Sequence, residues 1–223
     1  MLQKTTLKKQ AYEFIKNAIA NSHYKTGIVY SEQTFATELG ISRTPIREAI
    51  IQLKQEGYVN IVKNRGITIK KITVEEMEEI YQARAAIEGY CCMYAAGNID
   101  TPEGSALLKA ITELNKQEME IYRNGADAVK YMQIDSEFHM AIIKFANNQI
   151  LSEIIANLRS RINVLGVRAM TNEKRMPSSI KEHSGLIKSI KKGDRMAVVE
   201  QLENHLTASA RTIKMYTEHE LSE

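Results

Sequence analysis

The sequence predicts a mainly α-helical protein in two parts: three short helices and a β-hairpin over residues 1–71, then a bundle of about six helices over residues 72–223. Three observations lead there. Apolar residues recur at helical spacing through most of the 223 residues. Strand-like segments flank a single turn, in YVNIV, KNRG and ITIKKI. Charge divides at the same place. Residues 1–71 hold twelve Lys and Arg against five Asp and Glu, or +7; the remainder holds eighteen against twenty-two, or −4, which together give the net +3.

Taken in order, LKKQAYEFIKNAIAN places Leu7, Ala11, Phe14, Ile15, Ala18 and Ile19 on one face and predicts a helix over 7–21. Ser31 caps a short helix, EQTFATEL, that stops at Gly40. Ser42 caps a third, whose Ile46, Ala49, Ile50 and Leu53 face inward until Gly57 ends it. Asn64 and Gly66 suit the turn of the hairpin that follows. Three helices and a hairpin in this length describe a winged helix-turn-helix. A short linker around Lys70–Thr73 leads into Thr73-Val-Glu-Glu76, a capping box that opens a helix reaching about Gly97. Thr101-Pro102 opens the next, with proline at the first helical position. Further helices fit about 126–146, 149–170 and 178–192. Asn148 reads as a helix start. Gly193-Asp194 serves as stop and cap before a last helix to about Tyr216.

Composition excludes several classes. Hydrophobic residues at 43% and charged ones at 26% are ordinary for a globular chain. No apolar run is long enough for a bilayer, and MLQKTTLKKQ lacks a signal peptide's apolar stretch, so a cytoplasmic protein is expected, without a membrane partner. Cys91 and Cys92 are adjacent and have no CxxC partner; they read as small buried side chains. The basic first part joined to an acidic remainder points to a polyanionic partner for the former.

The stretch SRTPIREAI concentrates that expectation. With Ser42 as cap, Pro45 lies in the first turn, where amide hydrogens have no partner inside the helix and proline loses nothing. Arg43 and Arg47 stand one turn apart on one face, with Thr44 beside them. The N-terminal end of a recognition helix is the part that reaches base edges, and arginine there can bond guanine O6 and N7. Lys63 and Arg65 make the hairpin tip basic, where a wing meets the DNA backbone or minor groove.

SEQTFATELGISRTPIREAIIQLKQEGYV resembles the N-terminal domain of the GntR family of bacterial transcription regulators. Tyr30, Phe35 and Tyr58 stand at positions where that family's pattern has leucine. The resemblance implies that Arg43, Thr44 and Arg47 read DNA, with Arg65 and Gly66 in the wing.

The second part carries a different constellation. IDSEFHMAI sets Asp135 and His139 four apart, on one helix face. KEHSGLIKSI carries His183 early in its helix, and LENHLTASA carries His205 near the middle of the last. A carboxylate and neutral imidazoles suit a divalent transition metal, zinc ahead of nickel or manganese. His23 and His219 are given no role. Residues 72–217 resemble the FCD effector-binding domain of the FadR-type branch of that family. ARAAIEGYCCMYAA, D-x-x-F-H at 135–139, Asn148 with Leu151, Glu182-His183, Gly193-Asp194 and N-H-L at 204–206 carry the likeness. It implies a metal held by Asp135, His139, His183 and His205, with positions left for water or for the oxygens of a small organic or sugar acid effector. Arg84 either receives such a carboxylate or pairs with Glu88, four residues on; Arg161 and Arg168 are weaker candidates.

The expectation is a homodimeric, metabolite-responsive regulator, with repression as its expected action, on a palindromic double-stranded operator. A regulator with a purely structural metal is the alternative, and a helical metalloenzyme a more distant one. There is no HExxH and no paired Glu-x-x-His, and Glu137 turns away from the face of Asp135, so no general base is evident and no enzyme is expected.

Overall fold

The computed structural model describes residues 6–20 and 23–219. Its contacts divide the chain into two compact units, one up to Ile72 and one from Thr73 onward. The first holds α1 (Leu7–Ala20), β1 (Val29–Tyr30), α2 (Glu32–Leu39), α3 (Arg43–Gln55), β2 (Val59–Val62) and β3 (Gly66–Ile69). The expected end of the first helix, Asn21, lies outside the described residues. The apolar stripe of α3, Ile46, Ala49, Ile50 and Leu53, is almost wholly buried, together with Ala11, Ile15 and Ile19 of α1 and Phe35 and Ala36 of α2. Each buried Ile or Leu contributes about 1.5–3 kcal/mol.

The hairpin β2–β3 forms with Val62 opposite Gly66. The sheet has a third strand that the sequence analysis did not foresee. β1 pairs antiparallel with β3, setting Tyr30 opposite Ile67, in the order β1-β3-β2. Two residues are too few for alternation to announce a strand. This pairing explains Gly66. Its φ is +133°, and a Cβ there would fall on the Tyr30 carbonyl oxygen.

The second unit is all helical among the described residues: α4 (Val74–Gly97), α5 (Pro102–Arg123), α6 (Ala128–Phe145), α7 (Gln149–Ala169), α8 (Arg175–Lys191) and α9 (Arg195–His219). Thr73, Thr101, Asp127 and Asn148 each accept a backbone N–H of the helix they start. α4 packs on α9 and also meets α6, α7 and α8, so it runs through the middle of the bundle; α5 packs on α6 and α8. α8 begins three residues before the expected position. Pro177 falls in its first turn, where a missing N–H is tolerated, and Arg175 becomes its first residue. His183 therefore stands mid-helix rather than early.

Candidate nucleic-acid interface and metal centre

In the first unit, α2 ends at Gly40 in the left-handed conformation, φ 63°, and the chain turns within two residues into α3. Ser42 holds the N-cap position with extended backbone, but its hydroxyl makes no capping bond, contrary to the expected cap. Arg43, Thr44 and Arg47 are exposed on the first turns of α3, and Lys63 and Arg65 are exposed at the hairpin tip. One residue that sequence reasoning missed joins the two arginines. Glu32, the first residue of α2, accepts from Arg47 Nε and Nη2 at 3.0 and 2.9 Å and from Arg43 Nη2 at 3.0 Å. Arg47 and then Arg43 hold the Glu32 carboxyl below its usual range, against the smaller effect of burial. The Arg43 and Arg47 side chains stay 58% and 61% exposed, so the carboxylate orients them without hiding them. No periodicity links positions eleven and fifteen apart in different helices, so the pattern carried no signal for Glu32.

In the second unit, Asp135 and His139 from α6, His183 from α8 and His205 from α9 converge, with one ligand atom from each lying within 4.8 Å of all the others. All four are buried, His183 completely. Three carboxylates from other positions orient the rings. Both oxygens of Glu118, on α5, lie 2.9 Å from His183 Nδ1. Glu182 Oε2 lies 2.8 Å from His205 Nδ1, and Glu88 Oε2 lies 2.7 Å from His139 Nδ1. A carboxylate at Nδ1 fixes the proton there and turns the Nε2 lone pair to the other side. His139 Nε2 and His183 Nε2 lie 4.0 and 3.7 Å from Asp135 Oδ1, and both are buried without a hydrogen-bond partner. Orphaned buried nitrogens beside a carboxylate oxygen are what a cation would satisfy, so the donor set fits a divalent metal.

Guanidiniums hold the carboxylates. Arg159 of α7 donates to Asp135 Oδ2 at 2.5 Å, leaving Oδ1 toward the imidazoles. Arg175 donates to both oxygens of Glu182. Of the two readings of Arg84, the structure shows the pairing: its Nε donates to Glu88 Oε1 at 2.6 Å, and the residue is 4% exposed. Arg161 pairs with Glu76 at the start of α4. Glu137 is exposed, away from the cluster. Burial works to raise the Asp135 carboxyl, but Arg159 and the three imidazoles together hold it well below the usual range. Burial, with Arg159, pushes His139 down to about 3, and burial pushes His205 down to about 4. Burial also works downward on His183, but Glu118 outweighs it and the value is raised. No place at the site was foreseen for Glu118, Glu182, Arg159 or Arg175, and Glu88 was expected only as a partner of Arg84. Glu88, in ARAAIEGYCCMYAA, and Glu182, beside His183, lay within motifs the sequence singled out.

Residues 7–69 match the family model described as bacterial regulatory proteins, gntR family, and residues 79–208 match that of the FCD domain. The chain belongs to the GntR family of regulators and carries an FCD domain. The GntR-family relatives include the Bacillus subtilis HTH-type transcriptional regulator YdhC, 24% identical over 205 residues that cover 92% of this chain and 90% of that one. The Escherichia coli HTH-type transcriptional repressor RspR is 25% identical over 208 residues, 92% of this chain and 88% of its own. The solved structure of E. coli McbR/YncC superposes with a TM-score of 0.83 at 20% identity, covering 95% and 99% of the two chains, and so shares the fold. As a GntR-type helix-turn-helix protein, this regulator binds DNA, and its FCD bundle holds a buried Asp/His cluster that could take a metal ion. No helix among the described residues is long and apolar enough to cross a membrane.

Proposed function

We propose that this GntR-family regulator binds a palindromic operator as a homodimer and changes its hold on DNA when a small organic or sugar acid binds at a metal in the FCD bundle. Arg43, Thr44 and Arg47 meet base edges; Lys63, Arg65 and the backbone at Gly66 meet the sugar–phosphate chain. Asp135, His139, His183 and His205 hold the ion, zinc ahead of nickel or manganese. When bound, the metal supplies a Lewis-acidic centre for ligand oxygens. The relative RspR is named a repressor, which supports repression as the action here.

One observation carries the effector reading: three imidazoles, each with its own carboxylate at Nδ1, converge with Asp135 inside the bundle, and Nε2 of His139 and of His183 lie within 4.0 Å of one Asp135 oxygen. Charge supports an anionic ligand. Around the cluster, Glu88, Glu118, Asp135 and Glu182 face Arg84, Arg159 and Arg175, four carboxylates against three guanidiniums. A divalent cation turns that surplus of one negative charge into one positive charge, which a monocarboxylate neutralises. A ligand shifts DNA binding only through different affinities for the two states of the dimer.

The test uses the metal-loaded full chain and an operator fragment selected from genomic DNA. A panel of small acids is titrated while melting temperature and operator affinity are followed together. An acid that moves both supports the reading. Acids that move neither leave a DNA-binding protein with a structural metal.

A further inference from the structure

α3 sends three of its four Ile and Leu side chains inward and one outward. Ile46, Ile50 and Leu53 are buried in the first unit, whereas Ile51 is 45% exposed. At about 100° per residue, Ile51 lies about 150° around the helix from the centre of the buried stripe, so it points away from the core.

A single exposed isoleucine is ordinary; the company this one keeps is not. Thr44, Arg47 and Ile51 stand at i, i+3 and i+7, one stripe along the helix surface, and around the helix Ile51 falls between Arg47 and Thr44. Arg43 and Lys54, both exposed, flank the stripe on its Arg47 side; Glu48, also exposed, bounds it on the other. The cations on this arc, in the basic part of the chain, favour a polyanion over an apolar protein surface as what covers it. For an apolar side chain in the major groove of DNA, the matching group on a base edge is the C5 methyl of thymine. The branch at Cβ leaves isoleucine one strongly preferred χ1 rotamer in a helix, so Ile51 loses little freedom on contact. Arg47 is preset too, by Glu32.

We propose that Ile51 reads thymine, packing on the C5 methyl group of a base near the guanine that Arg47 meets. Four residues of helix rise about 6 Å and successive base pairs about 3.4 Å, which sets this thymine roughly two base pairs away where the helix follows the groove. The proposal rests on the reading of α3 as the base-reading helix and adds a second kind of readout to it. The arginines find acceptor atoms, whereas Ile51 finds a methyl group, which tells T·A from C·G at a position without a hydrogen bond.

The experiment measures the affinity of the full chain for an operator fragment selected from genomic DNA, with the thymines of each half-site replaced one at a time by deoxyuridine. That base keeps every hydrogen-bonding group of thymine and lacks only the methyl. Wild-type affinity is expected to fall about three- to fivefold at one thymine of each half-site, the worth of one methyl group removed from water. Ile51→Ala is expected to bind the thymine operator more weakly and to show a thymine-to-uracil ratio near one at that position. Indifference of the wild type to every replacement would overturn the proposal, and so would a ratio that survives in Ile51→Ala. A variant that lost affinity equally for all fragments and changed its oligomeric state in sedimentation would make Ile51 a contact between subunits, which also overturns it. A parallel series replaces guanines by 7-deazaguanine, which lacks N7, and compares wild type with Arg47→Ala. Guanine sensitivity that depends on Arg47, without any thymine sensitivity, removes this inference and leaves α3 as the reader. If neither series shows an effect, the reading of α3 falls and this inference with it.

Discussion

His183 Nδ1 lies 2.9 Å from both oxygens of Glu118, a residue sixty-five positions away on α5, and both side chains are fully buried. The contact sets the tautomer of the most enclosed imidazole of the cluster. Partners of this kind typically carry ten- to a hundredfold of metal affinity. Glu118→Gln is therefore expected to lower metal affinity by about that factor, read by competition with a chromophoric chelator, with the helical content of the bundle retained. Unchanged affinity would show that Asp135 and the remaining rings alone set the binding strength.

Glu32 makes a parallel prediction for DNA. Its carboxylate fixes Arg43 and Arg47 before any DNA arrives. Glu32→Gln raises the local charge by one and weakens that fixation. Non-specific binding is expected to strengthen and the ratio of specific to non-specific affinity to fall, measured on operator and scrambled fragments at matched salt. A variant that gained on both fragments alike would show Glu32 acting only as a charge.

Arg43 and Lys63 are expected to separate reading from holding. Arg43→Ala should relax preference at one base position by about 1–3 kcal/mol. Lys63→Ala should weaken all sequences about equally and flatten the salt dependence by roughly one counterion. Competition with single-base operator variants across a salt series distinguishes them. Unaltered operator selectivity in the Arg43 variant would end its assignment as a base reader.

The histidines give the metal-stripped protein an acid-sensitive bundle. His139 and His205 titrate at about 3 and about 4 when folded, below the ordinary 6.5, first through burial. Below about pH 6.5 the unfolded chain takes up protons that these folded sites refuse, so their contribution is present above that pH and is lost as pH falls toward 4 and then 3. His183 runs the other way: its raised value adds stability below 6.5 that is lost as pH rises through its folded value, offsetting part of the effect. The melting temperature of stripped protein should drop across this acid window, and less steeply in His205→Gln. An equally steep drop in that variant would place the acid sensitivity elsewhere.

Gly66→Ala tests the wing. The substitution meets both an unfavourable φ and the Tyr30 carbonyl, so β1 and β3 cannot keep their pairing. A loss of at least about 2 kcal/mol in the first unit is expected from strain and clash together, read by urea denaturation of the full chain. A neutral result would mean that the β1 pairing is dispensable.

The sequence by itself determined the helical character, the wing, and the pairing of Asp135 with His139, because each is written in local terms; His183 and His205 joined that pair only through the family resemblance. Apolar residues recur every three or four positions, Ser31, Thr73 and Thr101 stand at helix starts, and Asp135 and His139 share a turn. Tertiary structure alone decided what surrounds those residues. Glu32 meets Arg47 across a helix–turn–helix, β1 pairs beyond any periodic signal, and Glu118 reaches His183 from another helix. Such partners are matched by the direction in which packed helices point their side chains, and no spacing along the chain encodes that direction. The same holds for Arg159 and Arg175. As residues in a sequence they are two cations among thirty; burial beside Asp135 and Glu182 makes them part of the site.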